Sequence, residues 1–155
     1  MSLKQTPSQT VGPFFAIGLT APQYGYPHGA IASGDLASEP TTGERIEISG
    51  QVLDGGGVPV TDALIEVWQA DSEGSYASSM SPNSNTAPAF TGWGRQPTQS
   101  DGSFTFETIK PGRVPAPNGS LMAPHVSLWI VARGINIGLN TRLYFNRVAR
   151  TTALA

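Results

Sequence analysis

The stretch SDGSFTFETIKPG, Ser100 to Gly112, decides how the rest of the chain is read. It opens on a tight Asp101-Gly102 turn, sets Phe104 and Phe106 on one face by strict alternation, and stops at Pro111-Gly112. Alternation with period two between turn residues is the mark of a half-buried strand. Working outward, IEISGQVLD places Ile46, Ile48 and then Val52 in the same rhythm, and Gly55 to Gly57 turn the chain. DALIEVWQAD follows, with Leu64, Val67 and Trp68 among its β-formers, and HVSLWIVA and TRLYF complete a set of five strands. No window holds a 3.6-residue apolar period. The expectation is an all-β domain, an antiparallel β-sandwich or open barrel.

Between the strands, MSPNSNTAPAF and GRVPAPNGSLMAP read as long loops, because their prolines and asparagines break any ladder. Loops of that length in a compact domain are binding loops or disordered segments. Residues 1–45 carry little regular signal and read as an extended arm, residues 46–145 as the sandwich, and residues 146–155 as a divergent tail. No internal repeat is visible.

A length of 155 residues fits one domain, and 39% apolar residues suffice for a core. Charged residues make up only 13%, a deficit that burial against a partner explains, as does a surface rich in Ser, Thr and Asn. With a net charge of −2 and no basic cluster, nucleic acid and anionic membrane are not expected partners. The absence of cysteine removes disulfides, thiolate nucleophiles and Cys-ligated zinc. MSLKQTPSQT lacks the apolar region of a secretion signal and no run approaches transmembrane length, so a soluble cytoplasmic protein is expected.

Few residues carry chemistry. There is no phosphate-binding loop, no H-E-x-x-H and no G-x-S-x-G. The two histidines are His28 and His125. Alternation puts His125, Ser127, Trp129, Val131 and Arg133 on one strand face, with His125 and Arg133 about 26 Å apart at a rise of about 3.3 Å per residue. They must act separately. A lone strand histidine is more often a hydrogen-bonded core or rim residue than a ligand. Arg133, beside Gly134, either binds a carboxylate as a planar fork or faces water. Tyr76, after the turn DSEG, projects from a loop, whereas Tyr144 reads as packing. Asp62, Glu66, Asp71 and Glu73 are close in sequence, and a solvated face is the reading preferred over a paired-carboxylate site.

Two resemblances follow. GQVLDGGGVPVTDALIEVWQAD with TQSDGSFTFETIKPG is similar to the transthyretin-like and carboxypeptidase-regulatory sandwiches, which implies no more than a small β-sandwich or an interaction module without enzymatic role. A more specific set, TPSQTVGPFF, LIEVWQADSEGSY, GWGR, TIKPG and APHVSLWIVARGINIGLNTRLYF, resembles the α-type chains of the intradiol ring-cleaving dioxygenases from about Thr6 to Phe145. TPSQT-x-GP and ARGINI…TR-x-YF distinguish these from β-type chains.

The resemblance implies a β-sandwich that assembles as α–β pairs, with one non-haem Fe(III) per pair held by the β subunit through two tyrosines and two histidines. Tyr76 matches the first tyrosine position and His125 the first histidine, whereas Val114 and Ser127 stand where the second of each is expected. Fe(III) needs anionic oxygen donors, and valine supplies none. The expectation is a chain that binds no metal and has no catalytic residue by itself. Thr10, Gly12 and Pro13 would line the substrate pocket, glycine allowing close approach and proline fixing the wall. Arg133 would meet the carboxylate of protocatechuate. The implied reaction is oxidation of 3,4-dihydroxybenzoate by O2 to 3-carboxy-cis,cis-muconate on the β subunit's iron. The ending NRVARTTALA departs from the family continuation, so a C-terminal truncation is expected.

Overall fold

The computed structural model describes residues 4, 17–26, 32–77 and 89–145, so Thr10, Gly12, Pro13, His28 and the tail lie outside the described residues. Two antiparallel sheets face each other. In the smaller, β1 (Arg45–Gln51) pairs with β4 (Ser103–Ile109), in register from Arg45 opposite Ile109 to Gln51 opposite Ser103. The larger contains β2 (Leu64–Gln69), β3 (Trp93–Pro97), β5 (His125–Val131) and β6 (Leu139–Tyr144), in the order β3-β2-β5-β6. The expected antiparallel sandwich is the fold found.

Alternation decides which faces meet. Ile48 on β1 lies opposite Phe106 on β4, and Phe104 and Phe106 point inward with it. From the larger sheet Ile65, Val67, Val126 and Leu128 point back at them, with Ala63 and Ala132 closing the layer. Full burial stabilises each such aliphatic or aromatic side chain by roughly 1.5–3 kcal/mol. The opposite phase, Glu66, Trp68, Ser127 and Trp129, lies on the outer face of the larger sheet.

Among the described residues six strands form where the alternation predicts five. The additional strand, β3, reads WGRQP and offers no apolar rhythm, and its existence rests on its neighbours. It pairs with β2 from Leu64 opposite Pro97 to Trp68 opposite Trp93. Its other flank carries residues 32–38, part of the stretch expected as an arm. The Arg95 amide donates to the Ser33 carbonyl, and the Thr91 amide to that of Leu36. From its other side the same segment exchanges bonds with β4, Leu36 N–H to Glu107 O and Glu107 N–H to Gly34 O. It therefore laces one sheet to the other, with Leu36 and Ala37 in the core. Gly94 permits this approach, since a Cβ there would sit 2.6 Å from Leu36 Cδ1 and 2.7 Å from the Ser33 carbonyl oxygen. Residues 17–26 hold a 3-10 turn, Ala21–Tyr24, tied to the sandwich by Gln23 Nε2 donating to Thr98 O at 3.0 Å. Among the described residues no helix is long and apolar enough to cross a membrane.

Candidate functional site

The end of β2, the end of β4 and the start of β5 converge at one end of the sandwich. Gln69, fully buried, is the junction. Its side-chain amide donates to the carbonyls of Ala70 and Ile109, at 3.0 and 2.8 Å, and accepts from Thr108 Oγ1 at 2.9 Å. One residue thereby joins the two sheets where their strands run out. Gln69 stands in phase with the inward Ile65 and Val67. A polar residue at an apolar phase was the available signal, and the strand pattern alone did not single it out.

Beyond Gln69 the chain turns through Asp71-Ser72-Glu73-Gly74-Ser75. The Asp71 carboxylate fixes the turn by accepting from the Glu73 and Ser75 amides, both at 2.9 Å. Gly74 has φ +87°, and a Cβ on it would lie 2.0 Å from the Arg113 carbonyl oxygen, so only glycine lets this turn lie against the next loop. A bond from the Gly112 amide to Asp71 O, 2.7 Å, closes the contact. Tyr76 leaves the first loop and Val114 the second. Tyr76 packs against Trp68 with ring centroids 4.8 Å apart and planes tilted by 40°, and Val114 is buried with its carbonyl accepting from the Met122 amide.

His125 opens β5 at the same end. It is 2% exposed, and its Nδ1 lies 2.8 Å from the Ala123 carbonyl. A carbonyl only accepts, so Nδ1 carries a proton, an orienting bond of the kind seen in metal-binding histidines. Its ring is 5.9 Å from that of Tyr144, directly across the ladder on β6. Ser127 follows on the same face, between Trp68 of β2 and Arg142 of β6. The fold thus gathers Tyr76, Val114, His125 and Ser127 at one end of the larger sheet.

The donors so assembled do not fit a ferric ion that needs two phenolates and two imidazoles. They comprise one phenol engaged with Trp68, one oriented imidazole, an alcohol, and a buried hydrocarbon that has no donor atom. Among the described residues no three histidine or acidic side chains group as metal ligands.

Arg133 is not part of this cluster. It follows the far end of β5, in a turn where Gly134 takes φ +80°. Its Nε meets Asp62 Oδ2 at 3.0 Å, and the side chain stays 77% exposed. The guanidinium thus pairs through Nε with a carboxylate of this chain and otherwise faces water, without a planar fork to Asp62.

The solvated-face reading of the acidic residues is corrected at Glu66. Its carboxylate accepts from Arg95 Nε and Nη2, at 2.7 and 2.5 Å, and both side chains are less than a fifth exposed. The partner was invisible because β3 was not read as a strand. Arg95 also lies 5.4 Å from the Trp93 ring centroid and donates through Nη1 to the Leu19 carbonyl at 3.4 Å.

Comparison with known proteins extends these observations. A family model described as Dioxygenase matches residues 19–148. The chain is 44% identical over 153 residues to a protocatechuate 3,4-dioxygenase alpha chain of Pseudomonas putida, covering 97% of this chain and 74% of the relative. It is 40% identical to the alpha chain of Burkholderia cepacia, covering 98% and 75%. The beta chain of the same organism is 38% identical over 106 residues, 66% of this chain and 45% of that one. Among solved structures, the dioxygenase domain of a carbohydrate-binding fusion from Streptomyces sp. SirexAA-E aligns with TM-score 0.61 and 28% identity over 92% of this chain and 77% of that domain. The motifs, the sandwich and these relatives agree: the chain belongs to the intradiol ring-cleavage dioxygenases, among the α-type chains.

Proposed function

We propose that this chain is the iron-free α partner in an α–β pair that cleaves protocatechuate with O2 to 3-carboxy-cis,cis-muconate, working in the cytoplasm. The carrying observation is the donor set, where Val114 is buried and without a donor atom and Ser127 stands beside an oriented His125. Fe(III) on the β subunit would supply the Lewis-acid and redox chemistry that makes the catechol reactive toward dioxygen. This chain's residues bind and orient. In the division into an arm (1–45), a sandwich (46–145) and a tail (146–155), the arm brings Thr10, Gly12 and Pro13 to the partner's pocket as a close, rigid wall. Arg133 faces the substrate carboxylate. Because it sits at the far end of β5 from His125, the anion it serves lies outside this chain's own Tyr76 and His125 cluster.

The test is co-expression with a protocatechuate 3,4-dioxygenase beta chain. The expected result is a stable complex that carries about one iron per pair and cleaves 3,4-dihydroxybenzoate, whereas this chain purified alone carries none. Failure to associate with a beta chain, or stoichiometric iron on the isolated chain, overturns the proposal. An interaction module without enzymatic role is not favoured, because the alpha-chain similarity runs through nearly the whole chain, arm included.

A further inference from the structure

The register of the larger sheet sets Leu64 opposite Val131. Two residues further along the same ladder, beyond the paired strands, Asp62 comes opposite Arg133, where Oδ2 and Nε meet at 3.0 Å. The contact uses Nε alone. The contact is an ion pair rather than a directed hydrogen bond; among the described residues the guanidinium has no other ion-pair partner, and its side chain is 77% exposed against 24% for Asp62. A guanidinium paired with a carboxylate on its Nε side leaves its two Nη groups as an end-on fork, the geometry that grips a second carboxylate through two parallel bonds.

We infer that Asp62 is a positioning residue that fixes Arg133 as an outward fork for the substrate's carboxylate. The inference rests on the reading of Arg133 given above and adds the residue through which Arg133 is oriented.

Stability does not explain the pair. An ion pair this exposed contributes little to folding. Its carboxylate nevertheless has one oxygen, Oδ1, removed from solvent without a hydrogen-bond partner among the described residues. Withdrawing a carboxylate oxygen from water without a donor is unfavourable, and such groups are retained where they do something else. What Asp62 does is restrict a long side chain that would otherwise sample many rotamers in water. Restricting it beforehand removes an ordering cost from substrate binding. Gly134 supports the same geometry, since its left-handed conformation turns the chain immediately after the arginine.

The experiment uses the α–β complex with two substrates, protocatechuate and the uncharged 3,4-dihydroxybenzaldehyde. For Asp62→Ala, KM for protocatechuate should rise about 5- to 20-fold with kcat within about twofold, and KM for the aldehyde should stay within about twofold. Asp62→Asn, which keeps the volume but removes the charge that pairs with Arg133, should shift KM in the same carboxylate-selective sense if the alanine variant does not fold. Arg133→Ala should show the same selectivity, larger, and adding Asp62→Ala to it should change nothing more. Selectivity in Arg133→Ala but not in either Asp62 variant would overturn the positioning role and leave the reading of Arg133 standing. No selectivity in Arg133→Ala would remove both. Equal KM changes for the two substrates, together with a lower Tm, would make Asp62 merely structural and overturn the inference.

Discussion

At the scale of single residues, Gln69 concentrates more consequence than any other described polar side chain. It is buried, its amide donates to the neighbouring Ala70 carbonyl and across to that of Ile109, and its oxygen accepts from Thr108 on the other sheet. Gln69→Leu preserves bulk but strands the Ile109 carbonyl and the Thr108 hydroxyl away from water. Removing one side of such an arrangement costs about 1–3 kcal/mol for each group left unpaired, so a loss of about 2–6 kcal/mol is expected for the two. Urea unfolding followed by tryptophan fluorescence should show the midpoint fall with m unchanged, and a loss under about 0.5 kcal/mol would contradict the accounting. Asp101 makes a smaller, pH-dependent contribution. Hydrogen bonds from the Ser103 side chain and then its amide hold the carboxyl below its ordinary range. A depressed folded value means the stabilisation is complete above the unfolded carboxylate's range and vanishes as pH falls through the folded one. Asp101→Asn should therefore show a shallower fall of Tm on acidification than the parent chain.

At the scale of elements, β3 shows what alternation conveys and what it does not. The strands with apolar rhythm, β1, β2, β4, β5 and the end of β6, were legible because burial of one face selects their residues. Trp93-Gly94-Arg95-Gln96-Pro97 is selected by its neighbours instead: a glycine for the passing segment 33–36, and an arginine for Glu66 on β2. Such requirements are long-range and leave no local period. The core position of Leu36 was hidden for the same reason, since a segment laced between two sheets has no alternation of its own. The Glu66–Arg95 pair follows the rule for half-buried charges, in which removing one partner costs more than removing both. Arg95→Met should destabilise by about 1–3 kcal/mol and Glu66→Met by a similar amount. The double variant should lose less than the sum, with a coupling of about 1 kcal/mol or more in a double-mutant cycle. Additive losses in thermal melts would mean that the two side chains do not depend on each other.

At the scale of the whole molecule, the sandwich holds a site's geometry without its chemistry. Under the proposed function, motif order marks Tyr76, Val114, His125 and Ser127 as the positions equivalent to a partner's ligand set. The sequence did not reveal that Tyr76 is packed against Trp68, or that Gly74 and Gly112 press its loop against that of Val114, because these are contacts between loops distant in sequence. On that proposal the chain keeps an orienting contact, the Ala123 carbonyl on Nδ1 of His125, and lacks two donors. If ligand identity alone separates this chain from an iron-binding one, restoring both donors should restore binding. Against it stand the Tyr76–Trp68 contact, worth about 0.5–1.5 kcal/mol, and the overpacking of a tyrosine at the buried Val114, about 1–3 kcal/mol. In favour stands a metal-binding free energy on the order of 10 kcal/mol for a complete set of protein ligands. Binding should win. The variant Val114→Tyr with Ser127→His should take up close to one ferric ion per chain and acquire the visible absorption of tyrosinate bound to Fe(III), whereas each single variant should remain colourless. A folded double variant without iron would place the deficiency in the paired loops rather than in the two side chains, and the Gly74–Arg113 contact would be the first geometry to alter.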